Sequence, residues 1–114
     1  MRGARTPLCF IIDSDASIRH FLSLIMHGAG VDTLELADAE GLAAALAKRT
    51  PDAVFLNIDL ESAEAIGSVV TLGQRGYSGY VQLMSNRGAA VLAHVKSIGD
   101  QHRLLMLSPL KKPF

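Results

Sequence analysis

With 114 residues, 49% of them apolar, the chain has the size of a single domain that can close one hydrophobic core without disulfides or a structural metal. Eleven Lys and Arg balance eleven Asp and Glu with no basic run to track a phosphate backbone, so nucleic acid is not an expected partner. The apolar run after Arg2 and Arg5 stops at Asp13, too soon for an export signal or a membrane span.

Leu8 to Ile12 is short and wholly apolar and runs into Asp13-Ser14-Asp15, the pattern of a strand buried on both faces that opens into a turn. Cys9 inside it is expected to be a buried thiol, which suits a reducing, cytoplasmic setting. Ser14 or Asp15 caps a helix in which Ile18, Phe21, Leu22 and Ile25 recur at helical spacing, until Gly28 and Gly30 stop it. Val31 to Leu36 mixes polar and apolar positions and suits an edge strand. Asp38 caps an Ala-rich helix from Ala39 to Arg49, which Thr50-Pro51 ends because a residue before proline avoids helical backbone.

The third strand, Ala53 to Asn57, is the organising stretch: a central apolar run that ends in an amide, with Asp59 just beyond. Ser62 caps a helix carrying Ile66, Val69 and Val70, with Gly73 to Gly79 as its exit loop. Tyr80 to Met84 reads as strand four, with Ser85 and Asn86 at its end. A last helix places Val91, Val95 and Ile98 on one stripe and is expected to stop at Gly99; Leu104 to Leu107 reads as strand five, before Ser108 to Phe114.

Strands alternating with single helices indicate right-handed βαβ units on a parallel sheet, and ligands of such sheets sit outside the carboxyl ends of the strands. The polar residues at those ends are Asp13, Ser14, Asp15, Asn57, Asp59, Ser85 and Lys112, and they should converge on one pocket. His20, His27, His94 and His102 form no metal-ligand grouping.

Over essentially its whole length the chain resembles the receiver domain of two-component response regulators. The likeness is carried by F-I-I-D-S-D at 10–15, P-D-A-V-F-L-N-I-D-L at 51–60, L-M-S at 83–85 and K-P-F at 112–114. It implies an α/β, three-layer, doubly wound sheet of five parallel strands in the order 2-1-3-4-5, the flavodoxin-like receiver fold, over residues 1–114. It also implies a cytoplasmic role in phosphorelay signalling, as the N-terminal part of a longer regulator. In that family an aspartate ending strand three accepts a phosphoryl group, acids after strand one help bind Mg²⁺, and a Ser or Thr and a Lys contact the phosphoryl oxygens.

Carried over residue by residue, the accepting position is Asn57, whose amide is a poor oxygen nucleophile. Ser14 stands for the second acid of the pair, leaving Asp13 and Lys112 roughly balanced, so Mg²⁺ is expected to bind weakly at Asp13 or not at all. Asp59 begins a solvated loop beside this residual acidic pocket. Ser85 and Lys112 occupy the phosphoryl-contact positions, beside Asn86 where the family has a small residue, and Pro109 replaces the aromatic switch residue. The resemblance thus implies a non-enzymatic, phosphorylation-independent interaction or regulatory module.

Receivers continue into a fifth helix, and this chain stops where that helix would begin, so the final helix is expected to be missing and one sheet face uncovered. That face is expected to be covered by an attached output domain, a protein partner or a second copy in a homodimer; a cyclic-dinucleotide phosphodiesterase is one guess for the output. The competing reading is a small Mg²⁺-dependent phosphatase of the D-x-D type, with Asp13 as nucleophile and Asp15 as general acid. Against it stand the short chain, no late acidic pair, and Ala16-Ser17 where that family has Gly-Thr. A nucleotide- or flavin-binding module would need glycines in the turn after strand one, and there are none.

Overall fold

The computed structural model describes residues 6–58, 62–85 and 89–111. The elements follow in the order β1 (Leu8–Ile12), α1 (Ala16–Gly28), β2 (Asp32–Leu36), α2 (Ala39–Leu46), β3 (Ala53–Asn57), α3 (Ser62–Gln74), β4 (Tyr80–Ser85), α4 (Ala89–Gln101), β5 (Leu105–Met106) and β6 (Leu110–Lys111). Every strand pairing is parallel, and the sheet order is β2-β1-β3-β4-β5, with β6 also on β4. This is the α/β receiver fold in the strand order expected.

The central strands owe their position to composition. All five residues of β1 are buried, because β1 lies between β2 and β3 and has helices on both faces. Alternate residues serve two cores. Leu8, Phe10 and Ile12 join Val54, Leu56, Val81 and Leu83 under α2, α3 and α4, where Leu42, Val69, Leu72, Leu92 and Val95 close the main core. Cys9 and Ile11 face the other way, against Leu22 of α1, with Met84 in the same smaller cluster. β2 is the half-exposed edge its mixed pattern suggested.

Among the described residues α1 is the one helix on that second face. Its stripe is therefore only partly used: Leu22 is buried, but Phe21 and Ile25 are 48% and 50% exposed. Tyr80 and Leu105, opposite each other in the β4–β5 register, are 54% and 51% exposed, and Leu107 and Leu110 are also open. Burial of such a side chain is worth about 1.5 to 3 kcal/mol, so this half of the sheet holds substantial unused apolar surface.

Several element boundaries differ from the sequence reading. The third helix runs through Gly73 and turns at Gly76, whose φ of 65° is left-handed. The fourth passes Gly99 because a small residue is needed there: a Cβ would lie 2.8 Å from Met106 Cε. The second helix ends at Leu46 rather than Arg49. The fifth strand is split: Leu104 is taken up by the turn after α4, its N–H on Gly99 O at 3.0 Å, and Pro109, lacking an N–H, separates β5 from β6. The half-buried Pro109 thus sits in an edge-strand break, as a proline should. Gln82, buried opposite that break, donates from Nε2 to Ser108 O at 2.6 Å and so ties the interrupted strand to β4.

Candidate functional site

The candidate site is built at the carboxyl ends of β1, β3 and β4, where the polar residues Asp13, Asn57 and Ser85 follow apolar strands. All are buried, at 1%, 2% and 0% exposure. Asp13 is held by its own backbone, its N–H donating to Leu36 O of β2 at 3.1 Å. Its Oδ1 accepts from Asp15 N at 2.9 Å and from Asn57 Nδ2 at 3.0 Å. The amide of Asn57 is therefore a donor to the carboxylate, and a charged group sits beside a neutral partner.

The other acid of the first turn is used elsewhere. Asp15, not Ser14, caps α1: its Oδ1 accepts from Ser17 N at 2.8 Å and from Ile18 N at 3.4 Å. Ser14 is exposed. A carboxylate oxygen engaged by two helix N–H groups is turned to the helix and not to a substrate, which weakens the D-x-D phosphatase reading.

One residue that sequence reading passed over is Arg19. From the first turns of α1 it donates Nη1 to Asp13 O at 2.6 Å, and its Nε lies 3.6 Å from Glu35 Oε1 on β2. It clamps the backbone of the site from behind. Its local spacing gave no signal of this role, because its partners are fixed by the turn after β1 and by the neighbouring strand β2.

Among the described residues a divalent cation would meet few of its usual ligands. Such an ion takes several hard oxygens, with carboxylates supplying the charge. Asp13 Oδ1 already accepts two N–H groups, Asp15 is on the helix, and among the described residues no three His, Cys, Asp or Glu side chains converge. The amide at 57 also lacks the lone-pair nucleophilicity of a carboxylate. Asp59, Asn86 and Lys112 lie outside the described residues. Cys9 carries no chemistry: burial pushes its thiol up to about 12, against the opposing hydrogen bond from the Phe55 backbone, so it stays protonated.

No family model matches the chain, and no curated protein matches it. Solved structures do. The beryllofluoride-activated NtrC receiver domain is 23% identical over 97% of this chain and 86% of its own, with a TM-score of 0.71. The chemotaxis protein CheY4 of Vibrio cholerae is 17% identical over 96% of this chain and 89% of its own, with a TM-score of 0.80. NtrX from Brucella abortus is 22% identical over 94% of this chain but only 24% of its own, with a TM-score of 0.81. At these identities the likeness establishes the fold, that of response-regulator receiver domains. Among the described residues, no helix is long and apolar enough to cross a membrane.

Proposed function

We propose that the chain is a degenerate receiver: a two-component signalling module that works without accepting a phosphoryl group at Asn57. The observation that carries this reading is the hydrogen bond from Asn57 Nδ2 to Asp13 Oδ1. A phosphoacceptor needs an oxygen nucleophile free to meet a cation and a phosphoryl donor, and this amide presents its N–H to the buried carboxylate of Asp13 instead. Asp13 holds Mg²⁺ weakly or not at all. The module has no catalytic activity of its own and acts in the cytoplasm through protein contacts, not through nucleic acid.

Its output is a partner protein or an attached domain, as the length of NtrX beyond the matched quarter suggests by analogy. The apolar half of the sheet around Tyr80, Leu105 and Leu107 is the surface for that contact or for a homodimer. Switching follows from a partner's preference for one conformation of the domain.

Beryllofluoride and Mg²⁺ together mimic a phosphoryl group on a carboxylate. Added to the isotope-labelled protein, they are expected to leave the amide resonances of Asp13, Asn57 and Ser85 in place. Saturable shifts at these residues would overturn the reading.

A further inference from the structure

The edge of the sheet opposite the candidate site carries a second feature. In a parallel sheet the helices end where the strands begin, and there the fold gathers Lys48 and Arg49 after α2, Arg75 after α3 and Arg103 after α4. All four are exposed, and among the described residues none has an ion pair or side-chain hydrogen bond. No basic run in the sequence announces them, because they follow three different helices.

A basic residue at a helix C-terminus is favoured by the helix dipole, and that accounts for any one of these. Yet the terminal carbonyls are already met by backbone: Tyr77 N on Leu72 O and Leu104 N on Gly99 O, both at 3.0 Å, follow the left-handed turns at Gly76 and Arg103. The guanidinium groups are left for other use. Two adjoining grooves, of about 310 and 420 Å³, share Gly76, Tyr77 and Ser78. One is lined by Arg75 and Thr50 and closed by Leu46, the other by Arg103 and His102 and closed by Leu105. Among the described residues no carboxylate lines either groove. The acids on this edge are engaged or remote: Asp52 accepts from Leu8 N, Asp100 pairs with Lys96, and Asp32 lies on the far edge strand.

We propose that this edge docks an acidic segment of a partner protein, with Asp or Glu side chains on Arg75 and Arg103 to either side of Ser78 and an apolar side chain against Leu46 or Leu105. Guanidinium forks match carboxylates bidentately. A nucleic acid is the poorer fit: the chain has no net charge, and Tyr77 is buried with its hydroxyl on Pro51 O, so among the described residues of the grooves the small imidazole of His102 is the one exposed ring for base stacking. This docking surface stands apart from the reading of Asn57 and survives or fails independently of it.

The probe is a short fluorescein-labelled peptide alternating Glu and Leu, followed by anisotropy at low salt, beside the matching Lys-Leu peptide and a single-stranded oligonucleotide. The acidic peptide alone is expected to bind, and more weakly as salt rises. Arg75→Gln with Arg103→Asn, the asparagine chosen because it tolerates the left-handed backbone, is expected to weaken binding about fivefold to twentyfold with unchanged far-UV circular dichroism. Lys96→Ala with Asp100→Asn, an ion pair removed as a unit outside the grooves, should leave binding as it was. The proposal is overturned by no binding of the acidic peptide, by equal loss in the Lys96→Ala, Asp100→Asn variant, by undiminished binding to the folded Arg75→Gln, Arg103→Asn variant, or by tighter binding of the oligonucleotide. A double variant that fails the circular dichroism check is replaced by Arg75→Gln alone, for which about a threefold loss is expected and no loss is contrary.

Discussion

Asn57→Asp is expected to cost the folded protein about 2 to 4 kcal/mol at neutral pH, although it is nearly isosteric. The substitution removes the N–H that Asp13 Oδ1 accepts at 3.0 Å and puts a second carboxylate in its place, at a site where both residues are almost fully buried. Two adjacent buried carboxylates each disfavour the other's charged form, so one folded-state pKa of the pair rises above its unfolded value. The sign follows from linkage. A raised carboxyl pKa leaves stability intact in acid and removes it as pH rises through the raised value, so the variant should approach wild type at low pH and fall away towards neutrality. Mg²⁺ that binds only the folded variant should recover part of the loss by mass action, while wild type responds little. Urea denaturation at acid and neutral pH, with and without Mg²⁺, reads all of this. Equal stability of variant and wild type at neutral pH without Mg²⁺ would show that Asn57 does not neutralise Asp13.

The second large effect concerns what holds the site in place. Phe10→Ala is expected to cost about 3 to 5 kcal/mol, a large share of the 5 to 15 kcal/mol typical of a domain. Phe10 is 0% exposed, in register with Leu34 on β2 and Val54 on β3, at the centre of the main core. Its loss leaves a cavity that strands on both sides prevent from collapsing. Phe21→Ala removes the same side chain from the half-covered face, where Phe21 is 48% exposed, and should cost about 1 kcal/mol or less. The two denaturation midpoints, compared at equal slope, decide the matter. Similar losses would mean that the two faces of the sheet are equally covered in solution.

Apolar strands and capped helices made most of the fold legible in the sequence. β1 and β3 announced themselves as unbroken apolar runs, because parallel strands with helices on both faces need no polar side. Asp38 was readable as a cap because its carboxylate meets a helix N–H three residues on, Gly41 N at 2.8 Å. Gly73 and Gly99 were not readable, since glycine serves either to end a helix or to admit a neighbour. At Gly99 only the approach of Met106, a long-range contact, distinguishes the two uses. The split of the last strand was half legible: Pro109 marked an edge, but the compensating hydrogen bond from Gln82 to Ser108 O depends on a tertiary neighbour.

The site was legible in its members and less so in its wiring. The structure brings Asp13, Asn57 and Ser85 to neighbouring strand ends, as the βαβ order required. The direction of the Asn57 hydrogen bond, the diversion of Asp15 to α1 and the arginine clamp needed coordinates, because each is a choice among several partners within reach. The basic edge was hidden for a related reason: its cations are dispersed along the chain and meet only because successive helices end on one side of a parallel sheet.

The most direct test of the account is the intact mass of the purified protein after incubation with Mg²⁺ and a small acyl phosphate, beside the variant Asn57→Asp with Ser14→Asp. Wild type should keep its mass, and the variant should gain that of one phosphoryl group, showing that the rest of the pocket is competent. A phosphoryl adduct on wild type would contradict the account and make Asp13 or Asp59 the acceptor to map.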